Sequence, residues 1–320
     1  MTWKLADPST GTWPSATAAG RARPRPAGTS LAGVRVALAT AREARGLDPD
    51  EPLLVAALAD AGVAAEPAVW DDPAVRWPAF DLVLVRSTWD YPPRREAFLE
   101  WAGGVAAATR LVNEPAFLRW TTDKRYMADL AAAGVPVVPT RWIVPGEAIA
   151  LPPHGEYVLK PSVGAGSKDA LRLSGAAGDA ARGEAHARAL LAAGREVVVQ
   201  PYQAAVDAAG ETAVVFLEGA FSHAVRKAPI LVAGAGPVDG LFAPEEIAAR
   251  TPSAAELAVA GRALAAVPGP PPLYARVDLV PGPRGEPTVL ELELAEPSLF
   301  LDHAPGAAAR LAAAVRRLLA

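Results

Sequence analysis

The sequence predicts an α/β half followed by an α+β half. Between residues 33 and 115, short apolar runs alternate with helix-patterned segments, the rhythm of parallel strands joined by crossover helices. From Gln200 onward strand-like runs dominate: "ETAVVFLEG", "AFSHAVRKA", "LYARVDLV" and "TVLELEL". The last two carry Asp278, Glu291 and Glu293 among apolar residues, so one strand pair is both apolar and acidic.

The elements follow in order. Residues 1–32 are rich in Pro, Ala, Ser, Thr and Gly, with arginines spaced by prolines and no helical or strand period. They read as a flexible extension, with Trp3 and Trp13 able to dock on the body. From residue 33 to 115, "VRVALAT", "AEPAVW" and "DLVLVR" read as strands, and "EPLLVAALADAGV" and "RREAFLEWAGGVAAA" as helices. A second unit, 116–200, opens on "TTDKRYMADLAAAG", where threonines can cap a helix that ends at Gly134 before Pro136 and Pro139. The strand "YVLKP", a helix around "ARGEAHARALLAAG" and the strand "EVVVQPY" complete it. In the third unit, 201–320, "VVFLEGAFSHAV" reads as a hairpin turning on Glu-Gly. "YARVDLVPGPRGEPTVLELEL" reads as a second, with a longer loop, and "GAAARLAAAVRRLLA" as a closing helix.

Composition excludes several functions. The chain has 320 residues, half of them apolar, so a sizeable core is available and disorder is not the default. A net charge of -4 provides no basic field for nucleic acid or an anionic membrane. There is no cysteine, hence no disulfide, thiolate nucleophile or cysteine metal site. No apolar run approaches the roughly 18 residues of a membrane span, and the N-terminus lacks a signal pattern. These features predict a soluble, cytoplasmic protein without nucleic-acid or membrane partners; a homodimer is left open.

The loop "YVLKPSVGAGSKD" follows a strand that ends on Lys160. Its order, Gly164-Ala165-Gly166-Ser167-Lys168, fails the P-loop pattern, in which lysine directly follows the second glycine. Aspartate at 169 fails the Rossmann fingerprint as well. "GAGPVDG", Gly234–Gly240, is also out of register and reads as a plain loop. A short glycine loop between antiparallel strands can still offer backbone N–H groups to phosphates; the alternative is a tight turn.

Glu291 and Glu293, two apart on a strand, share a face. If the two strands pair, Asp278 joins them. Three carboxylates would repel unless cations neutralised them, and Mg²⁺ suits, taking carboxylate and phosphate oxygens. The bland reading is a solvated face or a charged edge strand. Arg276 adds a cation on that face, fitting a site that stabilises a charged phosphoryl transition state.

Arg86 stands at the C-terminal end of "DLVLV", where open parallel sheets bind ligands, and an arginine can grip a carboxylate through two hydrogen bonds. Trp89, Asp90 and Tyr91 could hold an amino group and an apolar body. Glu296 and Ser298 would face the same cleft. Asp48 and Asp50 read as a helix cap. His154, His186, His223 and His303 show no metal-ligand spacing; His186 reads as solvated, and His223 lies on the strand leading to Lys227. No Gly-x-Ser-x-Gly elbow supports a serine hydrolase.

The series "NEPAFLRWTTDKRY", "YVLKPSVGAGS", "VVVQPY", "SHAVRKAP", and "RVD" with "LELE" resembles the ATP-grasp ligases of the glutathione-synthetase type. It runs through nearly the whole chain from about residue 33. "VRSTWDYPP" and "LELELAEPSLF" are similar to the subgroup that includes the O-ureidoserine cyclo-ligase of the cycloserine pathway. The resemblance implies an ATP-grasp fold. Residues 33–115 would form a parallel α/β substrate domain, 116–200 a lid, and 201–320 the subdomain with the metal site. ATP and Mg²⁺ are the implied cofactors. Lys124 and Lys160 would contact the phosphates, with Gly164, Ala165, Gly166 and Ser167 over them. Gln200, Pro201 and Tyr202 would read the adenine edge, and Lys227 would face the terminal phosphate beside Arg276. Asp278, Glu291 and Glu293 would carry the metal.

Two departures stand out. Many relatives have Glu-x-Asn where this chain has Glu291-Leu292-Glu293. The loop after Lys227 also lacks the arginine and asparagine expected of a glutathione synthetase. The implied activity is ATP-dependent C–N ligation on a small amino-acid-like substrate through an acyl phosphate, between two molecules or within one. A small-molecule kinase and a nucleotide-binding regulator without turnover are the alternatives.

Overall fold

Apolar residues at consecutive positions in Arg35–Thr40 and Leu82–Val85 bury both faces of those strands, which suits a parallel sheet covered on two sides. The computed structural model describes residues 33–236, 240–241 and 245–320. The N-terminal extension, with Trp3 and Trp13, lies outside the described residues, as does the middle of the Gly234–Gly240 loop. In chain order the first region holds β1 (Arg35–Thr40), α1 (Asp50–Asp60), β2 (Ala64–Val69), β3 (Leu82–Val85), α2 (Arg95–Ala108) and β4 (Arg110–Val112). Its four strands form one parallel sheet in the order β2-β1-β3-β4. Next come α3 (Pro115–Thr121) and α4 (Tyr126–Ala132).

Thr121 and Thr122 close α3 rather than capping a helix start: Thr122 Oγ1 donates back to the Leu118 carbonyl. The expected single helix is broken in two between them and Tyr126. Both pieces pack through Phe117, Trp120, Tyr126, Met127 and Leu130 against the larger antiparallel sheet described below. The lid expected from residue 116 therefore begins its own sheet only at β5 (Arg141–Ile143). With β6 (Glu156–Pro161), β7 (Leu171–Ser174) and β8 (Val197–Pro201) it forms the order β5-β8-β6-β7. Helix α5 (Ala177–Ala192) covers one face, packing on Tyr157, Leu159, Val197 and Val199.

After α6 (Val206–Ala209), a five-stranded sheet is built from β9 (Glu211–Leu217), β10 (Ala220–Lys227), β11 (Ile247–Arg250), β12 (Tyr274–Pro281) and β13 (Pro287–Glu293), in the order β11-β10-β9-β12-β13. Glu218 and Gly219 both have positive φ at the β9–β10 turn, the geometry a tight hairpin needs. Helix α7 (Ala254–Ala265) packs on the outer face of this sheet. Sequence reading missed it, although Ser253 and Glu256 form a complete capping box, a signal legible as Ser-x-x-Glu before an apolar run. The closing helix α8 (Ala307–Leu319) packs on α1. Asn113 ties the parallel sheet to the five-stranded one: its amide donates to the carbonyls of Tyr274 (2.9 Å) and Leu294 (2.6 Å), and its Oδ1 accepts from Leu273 N (2.9 Å).

Candidate active site

Strand register assembles the site. Across the five-stranded sheet, Lys227 pairs with Glu211, Val225 with Ala213, Ala213 with Asp278, Asp278 with Glu291 and Arg276 with Glu293. Residues directly opposite share a face, so the sheet's inner side carries this whole charged set. A bulge follows at Asp278/Leu279, re-aiming the strand next to the carboxylates. In the four-stranded sheet, Val158 pairs with Gln200 and Lys160 with Val198, so Val158, Lys160 and Gln200 point away from α5. Between the two sheets lies a cavity of about 560 Å³, within the size range of small-molecule sites.

Its walls hold most of the predicted residues: Lys124, Lys160, Gly164 to Ser167, Gln200, Pro201, Tyr202, Lys227, Arg276, Glu291, Glu293, Trp89, Tyr91, Glu296 and Ser298. Asp278 lies directly behind, 2% exposed. Arg86 and Asp90 are corrections. Arg86 does not line the cavity; it is buried against Asp50 (3.1 Å) with its guanidinium over the Tyr274 ring. Asp90 does not line the cavity; it accepts from Trp70 Nε1 (2.7 Å) and pairs with Arg94. Asp50 is more than the cap it was read as. Its carboxylate accepts from Leu299 N (2.6 Å) and Leu301 N (2.7 Å), clamping the segment after the acidic strand onto α1. Asp48 does act locally, accepting from Asp50 N.

The charges interlock. Asp278 accepts from Arg276 Nε (2.9 Å) and lies 3.2 Å from Lys227 Nζ. Arg276 also reaches Glu293 (2.5 Å) and the Ser298 carbonyl (3.1 Å). Lys124 Nζ bridges Glu291 (2.8 Å) and the Gly164 carbonyl (3.1 Å), linking the acidic strand to the glycine loop. Burial alone would raise the Asp278 pKa, but Arg276 and Lys227 outweigh it and hold it low. Burial opposes the charge on Lys227 too, and Asp278 and Glu211 more than restore it. Burial is likewise outweighed at Glu291, which Lys124 and Lys160 hold down to about 2. Glu293 is pushed up to about 7 by burial, with Arg276 opposing and Glu291 and Asp278 adding to the rise. Lys160 has its pKa lowered by burial.

A divalent cation fits this donor set. Three carboxylates, Asp278, Glu291 and Glu293, share one face. Oxygen donors of this kind suit Mg²⁺. Among the described residues no three acids converge closely enough to hold an ion by themselves; Glu291 and Glu293 are engaged by Lys124 and Arg276.

The glycine loop joins β6 to β7. Gly166, Ser167 and Asp169 all have φ near +60°, a region that favours glycine, and the loop is held from behind. Arg195 pairs with the Asp169 carboxylate (2.6 Å), and His186 Nε2 lies 2.9 Å from the Asp169 carbonyl. His186 is thus a loop anchor rather than a solvated residue. His223 bonds the Leu299 carbonyl (2.7 Å) and Ser222 Oγ (3.0 Å) and does not line the cavity. Sequence reading missed Glu211 and Glu245, 3.2 and 3.5 Å from Lys227, and the apolar group of Val206, Val280 and Leu290 packed with Tyr202. No motif marks them; the β9–β10 register brings Glu211 to Lys227, Glu245 arrives just ahead of β11, which pairs with β10, and α6 and the β12–β13 hairpin supply the apolar group.

A family model described as the N-terminal domain of D-cycloserine synthetase DcsG matches residues 36–113. The chain is 38% identical over 300 residues to the cycloserine biosynthesis protein DcsG of Streptomyces lavendulae, covering 89% of this chain and 98% of that protein. The chain belongs to the D-cycloserine synthetase family of ATP-grasp ligases. The crystal structure of D-cycloserine synthetase DcsG superposes with a TM-score of 0.82 at 39% identity, over 89% of this chain and 99% of the other. A D-alanine–D-alanine ligase from Bacillus anthracis, solved with ATP, superposes at 0.63 with 15% identity over 89% of this chain and 97% of the other; that likeness concerns the fold. Like other ATP-grasp ligases, this synthetase-family member is an ATP-dependent, ADP-forming carbon–nitrogen ligase. Among its described residues no helix is long and apolar enough to cross a membrane.

Proposed function

We propose that this enzyme uses ATP with Mg²⁺ to convert a carboxylate, or an equivalent carbonyl oxygen, of a small amino-acid-like substrate into an acyl phosphate. A nitrogen nucleophile then attacks the acyl carbon, the C–O bond to the phosphate breaks, and ADP and phosphate are released. The observation that carries this reading is the inner sheet face on which Lys227, Arg276, Asp278, Glu291 and Glu293 meet. Fixed charge there is suited to a phosphoryl group in transfer, where positioning and neutralisation do most of the chemistry.

The remaining roles follow from placement. Gln200, Pro201 and Tyr202, with Val158, Val280 and Leu290, line the cavity and suit a flat, hydrogen-bonding purine. Lys124 and Lys160 would meet the phosphates, covered by the backbone of Gly164 to Ser167. Mg²⁺, held by Asp278, Glu291 and Glu293, would neutralise phosphate charge when bound. Trp89, Tyr91, Glu296 and Ser298 face the space left for the substrate. The four-stranded sheet roofs the cavity, and water kept out there would spare the acyl phosphate from hydrolysis. The relatives named for cycloserine support an amino-acid-derived substrate, and O-ureidoserine, closing on its own nitrogen, is the first to test.

The test is hydroxylamine trapping with ATP, Mg²⁺ and a panel of amino acids including O-ureidoserine. Wild type is compared with Lys160→Ala and Glu291→Ala. Substrate-dependent hydroxamate together with ADP, lost in both variants, is the expected result. ADP with a stable phosphorylated product would indicate a kinase. AMP would indicate adenylation and overturn the mechanism.

A further inference from the structure

Seven acidic side chains line the cavity, and six have a basic partner. Asp50 is paired with Arg86, Glu211 and Glu245 with Lys227, Glu291 with Lys124, Glu293 with Arg276, and Asp302 lies 3.5 Å from His303. Glu296 is the exception among the described residues. It is 8% exposed, and its carboxyl accepts a hydrogen bond from the Tyr91 hydroxyl. The cation that acts on it, Lys124, is already engaged by Glu291 and Gly164. A buried carboxylate without a cation is costly, and one that opens onto a binding cavity is readily compensated by charge on a ligand.

We infer that Glu296 and Tyr91 form the subsite for a primary ammonium group of the substrate. This rests on the proposed amino-acid substrate and names which of its groups is read, and by what. The geometry is fixed from both sides. Trp89 Nε1 donates to the Glu296 carbonyl (3.1 Å), locking the backbone of 296 against the loop that carries Tyr91. Tyr91 itself is buried in the aromatic cluster of the parallel sheet, stacked on Phe98 at 5.0 Å, so its hydroxyl is aimed by packing. Two residues beyond Glu296, the Ser298 carbonyl accepts a hydrogen bond from Arg276. An ammonium held at Glu296 would therefore stand on the substrate side of the phosphoryl-stabilising cations, leaving the substrate's carboxylate free to reach them. Burial, then repulsion from Glu293, pushes the Glu296 pKa up to about 8, the direction expected of a carboxyl waiting for a cation.

Steady-state ADP release is measured with O-ureidoserine and with its N-acetyl derivative, which lacks the ammonium. Wild type should prefer the free amine by about a hundredfold in kcat/KM, the scale of one partner lost from a buried charge pair. Glu296→Gln should raise KM for the free amine by about the same factor, with a far smaller change in kcat, and should lose the preference over the N-acetyl form. Tyr91→Phe should weaken the preference in part. Equal use of both forms by wild type overturns the inference and leaves the ligase reading standing; this comparison decides the matter even if the variant does not fold. Collapse of kcat in Glu296→Gln at unchanged KM also overturns it, assigning the residue to proton transfer. No turnover of either form by wild type overturns the substrate reading, and this inference with it.

Discussion

Glu291 and Glu293 are chemically identical and two positions apart, yet one is held near pKa 2 and the other near 7. Burial pushes both up, and the difference is their company: Lys124 and Lys160 hold the first down, while at the second two acids oppose Arg276 and Lys227. Asp50 shows the same dependence on neighbours. Its carboxylate pairs with Arg86 Nη2 and accepts from two backbone N–H groups at once. Asp50→Ala should destabilise the protein by about 3–5 kcal/mol, because the buried Arg86 charge loses its closer partner and keeps only Asp48 at 3.9 Å. Urea unfolding checks this, and a double variant replacing both Asp50 and Arg86 with leucine should recover much of the loss. His223 is buried, which lowers its pKa below the usual value, with the Leu299 carbonyl opposing. The unfolded chain takes up a proton near pH 6.5 while the folded one does not. The stability due to this neutral histidine is therefore present above about pH 6.5 and lost as pH falls toward the lowered folded pKa. The stability gap between wild type and His223→Gln should narrow from pH 7 to pH 5.5; a widening gap would contradict the assignment.

Helix α7 buries Val259, Ala260 and Ala263 against the sheet but contributes nothing to the cavity. Its start depends on the reciprocal bonds of Ser253 and Glu256, and Glu256 also holds Thr212 and Arg250. Ser253→Ala should cost about 1 kcal/mol and lower Tm by a few degrees, while KM and kcat stay unchanged. A loss of activity would mean that α7 transmits strain to β12 and β13. The β12–β13 hairpin is the opposite case, since its register and bulge set the spacing of Asp278, Arg276, Glu291 and Glu293. Slipping it by one residue would turn the carboxylates into the apolar face shared with α7.

The cavity belongs to the molecule as a whole. The parallel sheet supplies Trp89 and Tyr91, the four-stranded sheet Lys160 and Gln200, and the five-stranded sheet the charged face. A ligand touching all three must stabilise the folded chain by mass action, by about 2.7 kcal/mol at a hundred times its dissociation constant. ATP with Mg²⁺ should therefore raise Tm by several degrees in differential scanning fluorimetry. Lys160→Ala should abolish most of that shift without lowering the ligand-free Tm, since burial already disfavours the Lys160 charge. A full shift retained in Lys160→Ala would remove this lysine from the nucleotide site.

Much of this was legible along the chain. Strand and helix periods announced the α/β and α+β halves, because a side chain's burial repeats with the geometry of its own element. The glycine loop and the "RVD" and "LELE" strands were visible because each is a local pattern. Other features depend on partners far away in sequence. Arg86 looked like an open fork for a ligand and is closed by Asp50 from another loop. Threonines that read as a helix start proved to be a helix end, because α3 packs on a sheet formed more than ninety residues later. Glu211 carries no motif, and reaches Lys227 only through the β9–β10 pairing. Periodicity fixes what each segment is, since it is set by adjacent bonds. Which charges neutralise one another, and which one is left for a ligand, is set by distances through space, and those exist only once the three sheets have closed around the cavity.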